Sequence, residues 1–141
     1  MSFRRVSPQE AFDLVTREGW IFIDVRSIPE FEAGRPAGAF NVPISHAVGG
    51  VMQPNPDFVA VMERRFPKDA KLVLGCRSGG RSMRAAALLQ QAGFQHLVDQ
   101  RAGWDGARDA FGRVQEVGWS AAGLPSATGP DPERGYEALK G

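Results

Sequence analysis

The chain has 141 residues, 43% of them apolar and 23% charged, which suits one hydrophobic core without disulfide or metal staples. Its 17 Lys and Arg against 16 Asp and Glu leave a formal charge of +1, so no basic field argues for nucleic acid, and no apolar run is long enough to span a membrane. The single cysteine excludes an internal disulfide, a CxxC pair and a multi-cysteine zinc site. Arg4-Arg5 with no apolar stretch after it reads as neither a secretory nor a twin-arginine signal, so a cytoplasmic location is expected.

Ser7-Pro8-Gln9-Glu10 predicts a helix start: Ser7 caps, Pro8 suits the first position and Glu10 completes a capping box. Ala11, Phe12, Leu14 and Val15 continue its apolar stripe, and Gly19 stops it. Trp20-Ile21-Phe22-Ile23 then runs apolar into Asp24-Val25-Arg26, the pattern of a strand buried on both faces. Residues 27–37 read as loop or short helix, 38–42 as a short strand closed by Pro43, and 45–56 as a long Gly/Pro-containing loop. Asp57 is placed to cap a helix carrying Phe58, Val61, Met62 and Phe66.

Lys71-Leu72-Val73-Leu74-Gly75 predicts a second buried strand, and the Ala- and Leu-rich run 83–92 a helix closed by Gly93. His96-Leu97-Val98-Asp99 predicts a last strand, and 103–111 a further helix. Beyond Gly112, Gly and Pro recur; Trp119 and Leu124 could pin this extension, while 126–141 reads as flexible surface. Strands alternating with helices indicate an α/β layered fold with a largely parallel sheet.

Between the second buried strand and its helix lies Cys76-Arg77-Ser78-Gly79-Gly80-Arg81-Ser82. Taken alone, a cysteine after a strand is most simply a small apolar filler. Two glycines and two arginines beside it point elsewhere. The glycines let backbone N–H groups converge, and the helix start and the arginines add positive potential. All of these favour thiolate over thiol. The loop lacks the Gly-Lys-Ser/Thr ending of a phosphate-binding P-loop.

This stretch resembles the active-site loop of rhodanese-like sulfurtransferases. Asp24-Val25-Arg26, Glu30-Phe31, Gly34 and Gly38-Ala39-Phe40-Asn41-Val42-Pro43 match the family's upstream signature in order and spacing. Gly93-Phe94 and Ala102-Gly103-Trp104 match its downstream end. The resemblance runs from Phe3 to Phe111, so residues 1–111 are expected to form the domain and 112–141 an extension packing on it or trailing from it. Arg35 departs from the pattern by standing where the family usually shows a histidine.

The resemblance implies a three-layer fold, with a mostly parallel five-stranded sheet and helices on both faces. It also implies that Cys76 takes sulfur from an anionic donor such as thiosulfate, carries it as a persulfide and yields it to cyanide or a thiol. No cofactor or metal is expected. Arg77, Ser78, Gly79, Gly80, Arg81 and Ser82 would bind the donor, Arg77 facing the pocket mouth and Arg81 alternatively bonding a carboxylate. Asp24, Arg26 and Glu30 would support the loop through ion pairs. Arg84, His46 and His96 read as surface or structural residues. Transfer to a sulfur-relay protein remains an alternative, with 49–52 as a docking edge. Phosphatases and arsenate reductases of related fold are a remoter one, because their loops place five residues between cysteine and arginine where this chain has four between Cys76 and Arg81.

Overall fold

The computed structural model describes residues 3–141. The elements in chain order are β1 (Arg4–Val6), α1 (Pro8–Arg17), β2 (Ile21–Asp24), α2 (Ile28–Ala33), β3 (Arg35–Pro36) and β4 (Phe40–Asn41). They continue with β5 (Ser45–Val48), β6 (Val51–Pro54), α3 (Phe58–Arg65), β7 (Lys71–Gly75), α4 (Gly80–Gln91) and β8 (His96–Gln100). The last are β9 (Gly106–Arg108), β10 (Val114–Val117), a 3-10 turn (Trp119–Ala121), β11 (Ser126–Ala127) and α5 (Tyr136–Leu139).

A five-stranded sheet of order β1-β8-β7-β2-β4 organises the molecule. Every pairing in it is parallel. Because side chains alternate along a strand, each buried strand serves two cores. Ile23, Leu72 and Leu74 pack with Val61 and Met62 of α3, Ala85 and Leu89 of α4, and Tyr136 and Leu139 of α5. Phe22, Val73 and Val98 face the opposite layer, with Ala11 and Leu14 of α1, Phe31 of α2 and Trp119. The result is helix, sheet and helix, as expected for an α/β fold of this kind. Among the described residues no helix is long and apolar enough to cross a membrane.

The capping box of α1 forms as its sequence dictates, with Ser7 and Glu10 bonding each other's backbone N–H. A second box opens α2, where Glu30 Oε1 accepts from both the backbone N–H and the hydroxyl of Ser27.

Several local expectations are overturned. Residues 45–56 are largely a β5–β6 hairpin, not an irregular loop. Gly49 and Gly50 both have positive φ, 59° and 79°, which a tight two-residue hairpin turn requires. The hairpin buries little of β6, so its strands lack the apolar alternation that would announce them. Asp57 precedes α3 without a side-chain cap bond; instead Asn55 Oδ1 accepts the Asp57 N–H. Residues 103–111 are turns and β9, pairing with β10, not a helix. β1 was not anticipated, being too short and too charged to read as a strand.

The largest correction concerns the expected flexible stretch at 126–141. β11 pairs with β3, and Tyr136 and Leu139 of α5 are buried in the core. Backbone bonds tie it further: Asn41 N donates to Arg134 O, and Gly129 N to Glu32 O. Arg65 Nε donates to Leu139 O at 2.6 Å.

Candidate active site

All the carboxyl ends of a parallel sheet point one way, and the loops there share one rim. β7 delivers Cys76 to that rim, β2 delivers Asp24 and Arg26, and β8 delivers Asp99. Gly75 is glycine because the Phe22 ring lies where its Cβ would stand.

Cys76 is only 3% exposed. Gly79, at φ +104°, turns the chain so that its N–H donates to Cys76 Sγ at 3.1 Å. A side chain at Gly79 would meet the Arg101 carbonyl at 2.7 Å. α4 begins at Gly80, so the N–H groups of its first turn have no partners within the helix and add positive potential at the loop. Trp104 N and Asp105 N donate to the carbonyls of Cys76 and Arg77, buttressing the loop from the turn after β8.

The two loop arginines are both committed to carboxylates. Arg77 donates to Asp105 at 2.6 Å and its side chain is 67% exposed, so its charge is shared rather than aimed freely at the pocket mouth. Arg81 makes two bonds to Glu30, at 2.8 and 2.9 Å. Burial would push the Glu30 carboxyl up, but the Arg81 and Ser27 hydrogen bonds outweigh it and bring it down to about 2. Asp24 and Arg26 form a fully buried fork, Nε and Nη2 on the two carboxylate oxygens, and Arg26 Nη2 also donates to Gly34 O. Arg26 stacks on Trp104, its Cζ 5.2 Å from the ring centre. Ser78 lies in a neighbouring groove with Arg77, Asp105 and Arg108.

An open cleft of about 620 Å³ lies over the loop, lined by Glu30, Ser45, Met52, Pro54, Arg77, Arg81 and Arg84. Arg84, expected as plain surface, lines it and donates to Ser45 Oγ at 3.2 Å. Among the described residues Arg84 has no carboxylate partner, which makes it the cleft's least neutralised cation. His46 packs against Tyr136 and His96 lies exposed at the start of β8.

Asp99, Arg5 and Gln100 escaped the sequence reading, while Ser82, expected among the donor-binding residues, links Asp99 to the thiol. Ser82 Oγ, fully buried, lies 3.4 Å from Cys76 Sγ and bonds Asp99, which in turn accepts from Arg5 of β1. Gln100 Oε1 accepts from the N–H groups of Ala102 and Gly103, fixing the turn that holds the loop. Asp99 carried a readable signal: like Asp24, it is a carboxylate at the carboxyl end of a buried strand. Arg5 carried none, since nothing in Arg4-Arg5 says which side chain turns inward.

Residues 7–110 match the family model of the rhodanese-like domain. The chain belongs to the rhodanese-like family. It is 34% identical over 121 residues to a protein of Arabidopsis thaliana named thiosulfate sulfurtransferase 16, chloroplastic, covering 86% of this chain and 90% of that one. The thiosulfate sulfurtransferase GlpE of Actinobacillus succinogenes is 27% identical over 128 residues, covering 91% and 94% of the two chains. The senescence-associated protein DIN1 of Raphanus sativus is 37% identical over 90 residues, but those span 64% of this chain and 49% of that protein, so the rhodanese-like chain covers about half of that relative. Among solved structures, the crystal structure of Rv0390 from M. tuberculosis superposes with a TM-score of 0.74 at 28% identity, covering 91% of this chain and all of the other. The rhodanese-like fold and membership of a sulfurtransferase family therefore stand.

Proposed function

We propose that this protein moves sulfane sulfur from a small anionic donor, such as thiosulfate, to cyanide or a thiol through a persulfide on Cys76. The observation that carries the reading is the sulfur's setting: Sγ accepts from the Gly79 N–H at the start of α4, in a loop whose Arg77 and Arg81 line the neighbouring cleft together with Arg84. The names of the full-length relatives support the donor.

The chemistry runs in two steps. The Cys76 thiolate attacks the outer sulfur of thiosulfate; the S–S bond of the donor breaks and sulfite leaves with its electron pair. The persulfide's terminal sulfur carries the charge, and the loop N–H groups stabilise it as an oxyanion hole would. Cyanide carbon then attacks that sulfur, thiocyanate leaves, and the S–S electrons return to Cys76. Arg84 supplies the unneutralised charge that holds the donor, with Arg77 secondary to it. Arg81, held by Glu30, shapes the loop, and Asp24 with Arg26 supports it from beneath.

Phosphoryl transfer is the poorer reading, because the loop is one residue shorter and its arginine is engaged with Glu30. Transfer to a protein thiol keeps one supporting feature: Val51 and Met52 stand exposed on the hairpin beside the cleft, where a partner could dock.

Intact mass spectrometry before and after thiosulfate tests the proposal. A gain of one sulfur atom, lost on adding cyanide with release of thiocyanate and absent from Cys76→Ser, is expected. No gain from thiosulfate, mercaptopyruvate or a cysteine desulfurase would overturn it.

A further inference from the structure

A buried carboxylate stands behind the thiol, and the sulfur-transfer scheme makes no use of it. Asp99 is fully buried at the end of β8. Its Oδ2 accepts from Arg5 Nε at 2.8 Å, and its Oδ1 accepts the Ser82 hydroxyl. Ser82 Oγ lies 3.4 Å from Cys76 Sγ. Sulfur, hydroxyl and carboxylate therefore form a continuous hydrogen-bonded line beneath the loop. A serine hydroxyl has one proton. Given to Asp99, it leaves the oxygen's lone pairs for the thiol proton; the Gly79 carbonyl, at 3.2 Å, is the competing acceptor.

We infer that Asp99, acting through Ser82, is the internal proton acceptor for Cys76. The Cys76 S–H proton passes to Ser82 Oγ while the Ser82 hydroxyl proton passes to Asp99 Oδ1. The S–H electron pair stays on sulfur, Ser82 is a hydroxyl before and after, and the negative charge moves from carboxylate to thiolate. The new Ser82 proton then faces the sulfur and joins the Gly79 N–H in holding it. No solvent proton and no co-reactant enters. When an acceptor later removes the outer sulfur, the proton returns from Asp99 along the same line.

The charges around this line come from several elements. Arg5 of β1 fixes Oδ2 and leaves Oδ1 for Ser82. Arg81 of α4 feels the Cys76 sulfur and Asp24 as well as its own partner Glu30. Arg26 pairs with Asp24. Asp99 does not touch the reacting sulfur and is a positioning residue in this scheme. The inference deepens the sulfur-transfer reading, resting on it only for the use to which the thiolate is put.

The test is the pH dependence of alkylation by iodoacetamide, a small uncharged reagent, read at the Cys76 peptide by mass so that methionine and histidine adducts are counted apart from the chain's one thiol. An isolated thiol loses about tenfold in thiolate, and so in rate, for each pH unit below its titration. Internal proton transfer has no such dependence, because the proton never leaves the protein. The wild-type rate is therefore expected to fall to a plateau below the midpoint, its height set by the equilibrium between the two proton positions. Asp99→Asn and Ser82→Ala should instead fall about a hundredfold over two units. Ser82→Thr, which keeps the hydroxyl, should restore the plateau. A wild-type profile without a plateau, or a plateau that survives in Asp99→Asn or Ser82→Ala, overturns the inference. If Asp99→Asn does not fold, Ser82→Ala decides. Sulfur loading is read separately by mass, so its failure with the plateau intact strikes the transfer reading and leaves the relay standing.

Discussion

Glu30→Gln isolates the clamp between α2 and the active loop. Glu30 Oε1 closes the capping box of α2, and both of its oxygens hold Arg81. Its carboxyl is held down from 4.5 to about 2, against the opposing effect of burial. A folded-state value below the unfolded one means that the stabilisation is fully present above about pH 4.5 and disappears as the pH falls toward about 2. Each tenfold change in proton affinity is worth about 1.4 kcal/mol. The full interval sets a ceiling on the order of 3 kcal/mol, and solvent screening of a side chain 30% exposed brings it to about 1–2 kcal/mol. Urea unfolding at pH 7 should therefore show Glu30→Gln less stable by about 1–2 kcal/mol, a midpoint lower by roughly 1 M. The gap should close as the pH approaches 2. A gap of the same size at pH 7 and near pH 2.5 would refute the argument, placing the cost in packing or in the neutral capping bond.

Leu139→Ala should cost about 2–4 kcal/mol, and removal of 126–141 should cost more, because Tyr136 and Leu139 are buried and the tail bonds three other segments; an unchanged melting temperature would return the tail to the surface. Arg84→Ala should raise the KM for thiosulfate about tenfold, in line with loss of a charge-assisted contact of about 1.5 kcal/mol, and more than Arg77→Ala does, since Arg77 already shares its charge with Asp105. Equal effects from the two variants would show that the salt bridge does not diminish Arg77.

The sheet was legible because its strands are buried on both faces and therefore apolar without interruption, as in Leu72-Val73-Leu74. The cysteine loop was legible because glycines and arginines in that order have few other uses. What escaped shares one cause: elements held by tertiary contacts rather than by their own pattern. The β5–β6 hairpin is exposed and turns on Gly49-Gly50, a pair that reads equally as a loop. α5 is four residues long and gains its place from Asn55, Arg64 and Arg65 reaching across to it. Arg84 looked like surface because one sequence position does not reveal that β5 passes opposite it. Asp99 and Arg5 are 94 residues apart in sequence, and only the parallel pairing of β1 with β8 brings them together.

Arg35, the departure from the family pattern, and the folded tail are halves of one contact. Arg35, standing where a histidine is usual, is buried against the Phe31 ring and donates to the carbonyls of Phe31 and Gly129. Gly129 lies in the tail, and Asp131, 3.9 Å from the guanidinium, follows it. Each half makes the other necessary. A chain with the arginine but no tail would bury a cation with its main partners missing; a chain with the tail but a short neutral side chain at 35 would bury the Gly129 carbonyl without its donor. Within this chain the arginine and the tail therefore stabilise one another, so that loss of either half should loosen the other.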